Sequence, residues 1–379
     1  MELSTFEHHV DSGWTIEEFP PLDSENTLVL VFGSRDYLDA PESLSELRQA
    51  YPQSHLIGCS SSGEIQGTQV SDQTLSVAVA KFEGGRIETA TVKLDELDAS
   101  FDAGKALAEK FSDPKMTHCF VLSNGTSVNG TKLVEGLNSV LDEASVVTGG
   151  LAGDGDRFET TWVLDGDRPD PSLVSGVAFY GDNFCISHGS QGGWDRFGPE
   201  RRVTRSEGSV LYELDGKPAL QLYKRYLGDQ AEGLPATGLL FPLELHPEGD
   251  ERLVRTILAI DEEDQSMTFA GDIPEGIKVQ LMKANFNRLV EGASTAAEIC
   301  AGMHDHDAPQ SLAIAISCVG RRLILKQRTE DELEAVAETL PKGAEIVGFY
   351  SYGELSPYVA GSDCALHNQT MTLTVISEK

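Results

Sequence analysis

Three glycine-bounded turns hold the residues best suited to chemistry. Gly58–Glu64 reads GCSSSGE, Gly348–Glu354 reads GFYSYGE and Gly149–Asp154 reads GGLAGD. Glycine admits positive φ and close approach of backbone to a ligand. Turns at strand ends in α/β sheets line ligand crevices. Each turn ends in a carboxylate, Glu64, Glu354 or Asp154. Acid so placed suits an amine or a bound cation, and its plainer use is to accept bonds from nearby backbone N–H groups. Gly58, Cys59, Gly63, Glu64, Asp154, Gly353 and Glu354 are the candidate ligand-binding residues. Cys59 or Ser60 could instead serve a hydrolase as nucleophile, although no G-x-S-x-G pentad or His–Asp order accompanies them.

The histidines are scattered. His304-Asp305-His306-Asp307 is a local cluster with metal-binding residue types, but it lacks the closed tetrahedral set of a structural zinc site and reads as a solvated loop. His188 and His367 each adjoin a strand-like run. Trp194, Arg196 and Phe197 either line a pocket or cover a domain edge. The 6 cysteines form no CxxC pair and read as reduced, buried thiols.

The elements that must position these turns recur along the chain. Thr27–Arg35 is a buried strand, followed by a helix with Leu44, Leu47, Ala50 and Tyr51 on one face, a short strand His55–Ile57, the glycine turn, and an alternating strand after Gln73-Thr74. The same order returns from Ser311: a strand, a helix bearing Leu333, Val336, Ala337 and Leu340, the strand Glu345–Val347, the turn, and a strand after Gln369-Thr370. A weaker copy runs from Cys119 through the helix with Leu133, Val134 and Leu137, into Gly149–Asp154 and the strand Val174–Tyr180. Repeated strand–helix–strand–Gly turn–strand units predict an α/β fold with mixed sheets. The alternation in the Gln-Thr strands predicts that they are antiparallel and half-exposed.

The chain's 379 residues suggest a two-domain protein. The segment Gly192–Gly208, rich in Gly, Arg and turn residues, places the boundary near 207, giving domains 27–206 and 207–379. With 29 basic and 61 acidic residues, the net charge of −32 argues against nucleic acid and against anionic membrane surfaces as partners. The N-terminus has no basic-plus-apolar leader, and no apolar run reaches spanning length, so a cytoplasmic location is expected.

At GCSSSGEI (Gly58–Ile65), GGLAGDG (Gly149–Gly155), VLYELDGKPA (Val210–Ala219), GFYSYGELSP (Gly348–Pro357) and LHNQTMT (Leu366–Thr372), the sequence resembles the FIST family. The resemblance runs from about residue 27 to 377 and takes in both modules, an N-terminal one at 27–206 and a C-terminal one at 207–379. It implies a cytosolic, non-enzymatic sensor of signal transduction that binds a small-molecule ligand. Family members are often fused or genetically linked to histidine kinases, cyclic-di-GMP enzymes or chemotaxis proteins, so the resemblance implies a histidine kinase or cyclic-di-GMP signalling partner. One subfamily of stand-alone members consists of haem-based nitric-oxide sensors acting on partner kinases. On that reading haem is the cofactor and a neutral histidine its axial ligand. His367, within the HNQT stretch, is the first candidate, followed by His188 and His246, with Arg321 placed to meet a propionate. The alternatives are a sensor of an amino-acid-like metabolite and the Cys/Ser hydrolase.

Overall fold

A computed structural model describes residues 1–94, 99–111, 113–142, 145–247, 252–303, 310–359 and 361–379. The repeat is present three times, and each copy centres on its own sheet. In the first unit the lead strand Thr27–Gly33 pairs in parallel with His55–Ser60 and antiparallel with the closing strand Thr74–Lys81. In the second, Met116–Ser123 pairs in parallel with Val146–Leu151 and antiparallel with Leu173–Tyr180. In the third, Ser311–Cys318 pairs in parallel with Ala344–Ser351 and antiparallel with Met371–Glu378. The fold is thus α/β with mixed sheets, and Leu28–Phe32 and Leu312–Ile316 hold equivalent places, as the sequence repeat requires.

What the repeat does not announce is an exchange of strands. After its glycine turn, each unit sends a hairpin into another unit's sheet. Glu64–Gln66 of the first unit pairs with Ala344–Ser351 of the third. Gly353–Pro357 of the third pairs with Val146–Leu151 of the second. Val163–Asp165 of the second touches His55–Ser60 of the first, at Cys59. A further strand crosses in the opposite sense: Arg86–Lys93 joins the second sheet and Phe184–Gln191 the third. In the first sheet that place is taken by the N-terminal strand Glu2–His9.

One face of each sheet points to a shared core, where Leu28, Leu30 and Phe32 meet Phe120 and Leu122, and Leu312, Ile314 and Ile316. The opposite faces are covered by amphipathic helices, among them Glu42–Ala50, Ser100–Lys110, Gly130–Asn138, Phe286–Met303 and Thr329–Thr339. The Gln-Thr strands are antiparallel but buried on both faces, not half-exposed. Their polar residues point inward and find partners there. The Ser76 hydroxyl donates to the Ile65 carbonyl at 2.7 Å, and Thr374 to Thr148 Oγ1 at 2.8 Å. Alternation therefore marks hydroxyls satisfied inside a core as readily as hydroxyls in water.

Between Phe184–Gln191 and the helix Phe286–Met303, the chain builds a separate mixed-length antiparallel sheet with its own core around Leu211, Leu220, Tyr223, Phe241 and Val279. Its long member, Asp195–Glu207, occupies the stretch that reads as turns in the sequence. The register shift between Phe197 and Arg201, against Lys278–Lys283, accommodates Gly198 and Pro199. The expected boundary at 207 falls at the end of this strand. Strands from both sides of 207 share sheets, because Phe184–Gln191 pairs along its whole length with Met371–Glu378. A helix spans Ala219–Leu227 with Pro218 as its N-cap. The run Leu253–Ile260 is two strands, Leu253–Arg255 and Ile257–Asp261.

Candidate functional site

The three turns form a ring. Ser62 N donates to Tyr350 O at 2.8 Å, Tyr352 N to Leu151 O at 3.1 Å, and Gly153 N to Ser60 O at 3.0 Å. Each unit thereby hands one backbone bond to the next where its hairpin departs. Gly58 sits two residues ahead of this ring, and so do Gly149 and Gly348. A Cβ there would lie 2.2, 1.8 or 1.8 Å from the carbonyl oxygen of Val31, Val121 or Ala315 on the lead strand. The glycines are required by this close approach of parallel strands.

The two glutamates have identical settings. Thr74 N and Oγ1 donate to Glu64 Oε2 at 3.1 and 2.9 Å, and Thr370 N and Oγ1 donate to Glu354 Oε2 at 3.1 and 2.9 Å. Ser351 Oγ adds a 2.6 Å bond to Glu354 Oε1. Both carboxyls are buried. Burial raises Glu64 to about 8 and Glu354 to about 7, against the opposing pull of these donors. Asp154 is not their equivalent. It accepts from the N–H groups of Phe158, Glu159 and Thr160 at 2.9–3.0 Å and from the Tyr352 hydroxyl, so it shapes its own loop.

Cys59 lies in the shared apolar core, and burial raises its thiol well above the ordinary range. Ser60 Oγ accepts from Trp162 N, and Ser61 Oγ from Gly63 N. Ser62 Oγ accepts from Gly155 N. These hydroxyls hold turns, and among the described residues no histidine is bonded to them. Gly63, with φ of 139°, leaves room for Arg322, whose guanidinium would lie 2.5 Å from a Cβ. Arg321 is fully buried and fully used. Nε and Nη2 meet Glu332 Oε2 at 3.0 and 2.7 Å, and Nη1 and Nη2 reach the carbonyls of Gly192 and Leu289. Trp194 Nε1 donates to Gln369 O beside it. This knot ties the three-sheet body to the inserted sheet. Arg196 bonds Glu244, and Phe197 packs on Phe241, both within the inserted sheet.

The three histidines lie apart. His367 is buried in the third unit's hairpin, its Nε2 bonded to Ser356 O at 2.9 Å, and burial lowers it to about 4. His188 is buried on the strand that joins the third sheet, with its basicity lowered by desolvation. His246, in the inserted sheet, bonds Glu244 through Nε2 at 2.7 Å and faces Glu200 across 3.4 Å. The clefts of about 840, 620, 610, 380 and 220 Å³ are lined by none of these imidazoles. Arg321 has no free donor edge for a propionate. These residues do not fit a haem site. Among the described residues no group of three or more His, Cys, Asp or Glu could hold a metal ion. The His304–Asp307 cluster lies outside the described residues.

Two clefts adjoin the turns. One, of about 620 Å³, lies beside Gly63 and is lined by Ser62, Asp72, Gly155, Arg322, Lys326 and Glu330. Its Arg322 is committed to Ser62 O and, with two bonds of 2.9 and 2.7 Å, to Asp72. The other, of about 220 Å³, sits on the seam between body and inserted sheet. Gly125, Asn129, Phe158, Leu258, Phe269 and Tyr352 are on its walls. Phe158 has φ of 54° and is 46% exposed, stacked on Tyr352 with ring centroids 4.4 Å apart. A bulky residue in the left-handed region is a strained placement, held here by the bonds of Asp154. Gly353 supports the same cleft, since a Cβ on it would meet Leu151 and Leu366 at 2.9 Å, two of its lining residues. So of the sequence candidates, Asp154 and Gly353 back the seam cleft, and Gly63 backs the other. Gly58, Cys59, Glu64, Arg321 and Glu354 lie within the protein's own framework. Phe158, Tyr352 and Asn129 were not among the sequence candidates. The one available signal was a second tyrosine, Tyr352, inside the GFYSYGE turn.

Among the described residues no helix is long and apolar enough to cross a membrane. Residues 27–217 match the FIST N domain and residues 219–357 the FIST C domain. An uncharacterized protein of Methanocaldococcus jannaschii is 25% identical over 371 residues, covering 88% of this chain and 69% of its own length.

Proposed function

The chain belongs to the FIST family, with its N and C domains in one polypeptide, and from that premise we propose that it is a sensor whose small ligand enters the seam cleft beside Phe158 and Tyr352. FIST domains are ligand-binding modules of signal transduction. The observation that carries the placement is the strained, exposed Phe158 stacked on Tyr352 at the junction of the body and the inserted sheet. Ligand sites favour such junctions, and a mostly apolar wall with a few polar groups is their usual lining. A ligand gripping both sides would shift the population of seam geometries, which is the elementary act of a sensor.

An amino-acid-like metabolite suits this cleft. Its hydrocarbon would lie on Phe158, Leu258 and Phe269, with polar partners offered by Asn129, Thr126 and Thr268. The effector would be a partner protein such as a histidine kinase or a cyclic-di-GMP enzyme. A binding role is favoured over a hydrolase by the apolar burial of Cys59 and the structural use of the Ser60–Ser62 hydroxyls. The test is a thermal-shift survey of the common amino acids on the full chain and on Phe158→Ala. At least one compound should raise the melting temperature of the parent and fail with the variant. No shift with any of them, or an equal shift in both proteins, refutes the placement. Haem added in a parallel arm should give no stoichiometric Soret band that depends on His367.

A further inference from the structure

Among the described residues two arginines, Arg321 and Arg255, are almost completely buried, and only Arg321 has a carboxylate in direct contact. Arg321 has Glu332. Arg255, 2% exposed, donates Nη1 to the carbonyls of Val254 and Leu366 at 3.2 and 2.9 Å and Nε to that of Asp272 at 3.3 Å. All three acceptors are neutral. Among the described residues no carboxylate pairs with it and no acceptor meets its Nη2. Burial lowers its pKa to about 10, against the smaller opposing pull of the Asp272 charge, which makes no direct contact with the guanidinium. A buried charge without a contacting carboxylate is costly to keep, so its retention asks for a reason. Gly271 is part of the seat, because a Cβ there would lie 2.7 Å from Arg255 Nε.

Arg255 reaches a cleft of about 380 Å³ between the helix Gly130–Asn138 and the inserted sheet. Leu245, Leu253, Ile273 and Ile277 give this cleft apolar walls. Among the described residues the acids along it are already engaged. Glu135 pairs with Lys132 at 2.7 Å, Glu275 accepts from Ser206 N at 3.0 Å, and Asp272 accepts from Asn129 Nδ2 at 3.1 Å and faces Lys132 at 3.9 Å. We propose that this cleft is a carboxylate site, in which the open Nη2 edge of Arg255 receives the acid group of a small apolar carboxylate and the four aliphatic side chains cover its hydrocarbon. Guanidinium and carboxylate match in plane and in donor spacing. The site adjoins the Phe158 cleft, with Asp272 on the wall of both, and does not depend on that cleft being occupied.

Calorimetric titration of the full chain with hexanoate tests this, with hexanol and hexylamine as probes of equal hydrocarbon. Hexanoate should bind one to one, about ten- to a hundredfold more tightly than hexanol, the worth of one charge-assisted hydrogen bond, and hexylamine should not bind. Arg255→Met should abolish this preference. That variant also leaves the Leu366 carbonyl unpaired and can fail to fold, so Leu253→Trp serves beside it. It fills the cleft from a half-buried position and should lose hexanoate while keeping the parent melting temperature. The proposal is overturned if hexanoate does not bind the folded parent, if hexanol binds equally well, or if Leu253→Trp, once folded, still binds hexanoate as the parent does.

Discussion

At the scale of the residue, the informative groups are charged side chains that have lost their water. Glu64 and Glu354 take protons more readily in the fold than in the unfolded chain, being raised to about 8 and about 7. The folded state therefore binds the extra protons. Their contribution is complete below the ordinary glutamate range near 4.5 and is lost as pH climbs to about 8. Denaturant melts across that window should show the parent weakening with rising pH, by the order of 1 kcal/mol or more per carboxyl. Glu64→Gln and Glu354→Gln, which imitate the protonated form, should flatten the slope. Equal slopes in parent and double variant would show that neither carboxyl titrates in this range. The buried pair behaves differently. Arg321→Met removes the ion partner of buried Glu332 and the donor to Gly192 O, and should cost about 3–5 kcal/mol in the same assay.

At the scale of the element, the glycines separate into two kinds. Gly348→Ala would force a methyl into the 1.8 Å gap to Ala315 O. It should destabilise by about 1–3 kcal/mol or more. Gly302, in the helix Phe286–Met303, meets nothing within 4 Å. Gly302→Ala should stabilise by a few tenths to about 1 kcal/mol. Paired thermal melts check both, and a mild Gly348→Ala would contradict the close-approach account. This contrast also marks what could be read from the chain. Lead strands, helices, closing strands and the equivalence of Glu64 with Glu354 were legible, since each depends on neighbours in sequence. The hairpin destinations were not. Glu64–Gln66 reads as a strand wherever it goes, and nothing in three residues names the sheet 283 positions later that receives it. The long strand Asp195–Glu207 was hidden because its bulges use the residues that elsewhere mark turns. The seam cleft was hidden for a further reason: Phe158 gains its place from Asp154 and Tyr352, one near and one remote, and no period in the sequence links them.

At the scale of the whole molecule, the three sheets are held by exchange, so no one of them is a self-sufficient domain. A fragment of residues 1–217 would retain the hairpin Glu64–Ser71 without its acceptor Ala344–Ser351, and the second sheet without Gly353–His367. Alone it should show no cooperative thermal transition. Mixed with 218–379 during refolding, it should recover one, and an independently cooperative 1–217 would contradict the exchange as the source of stability. The same arrangement sets a timetable for synthesis. Ile65 pairs with Gly348, and a ribosome adding roughly 5–20 residues per second needs on the order of 15 s to a minute to make the stretch between them. Throughout that interval the nascent chain carries a hairpin strand with one edge open, whose partner on that edge does not yet exist, the state most inviting to neighbouring nascent chains. The dense negative charge of this protein, −32 over 379 residues, keeps such chains apart by mutual repulsion while they wait.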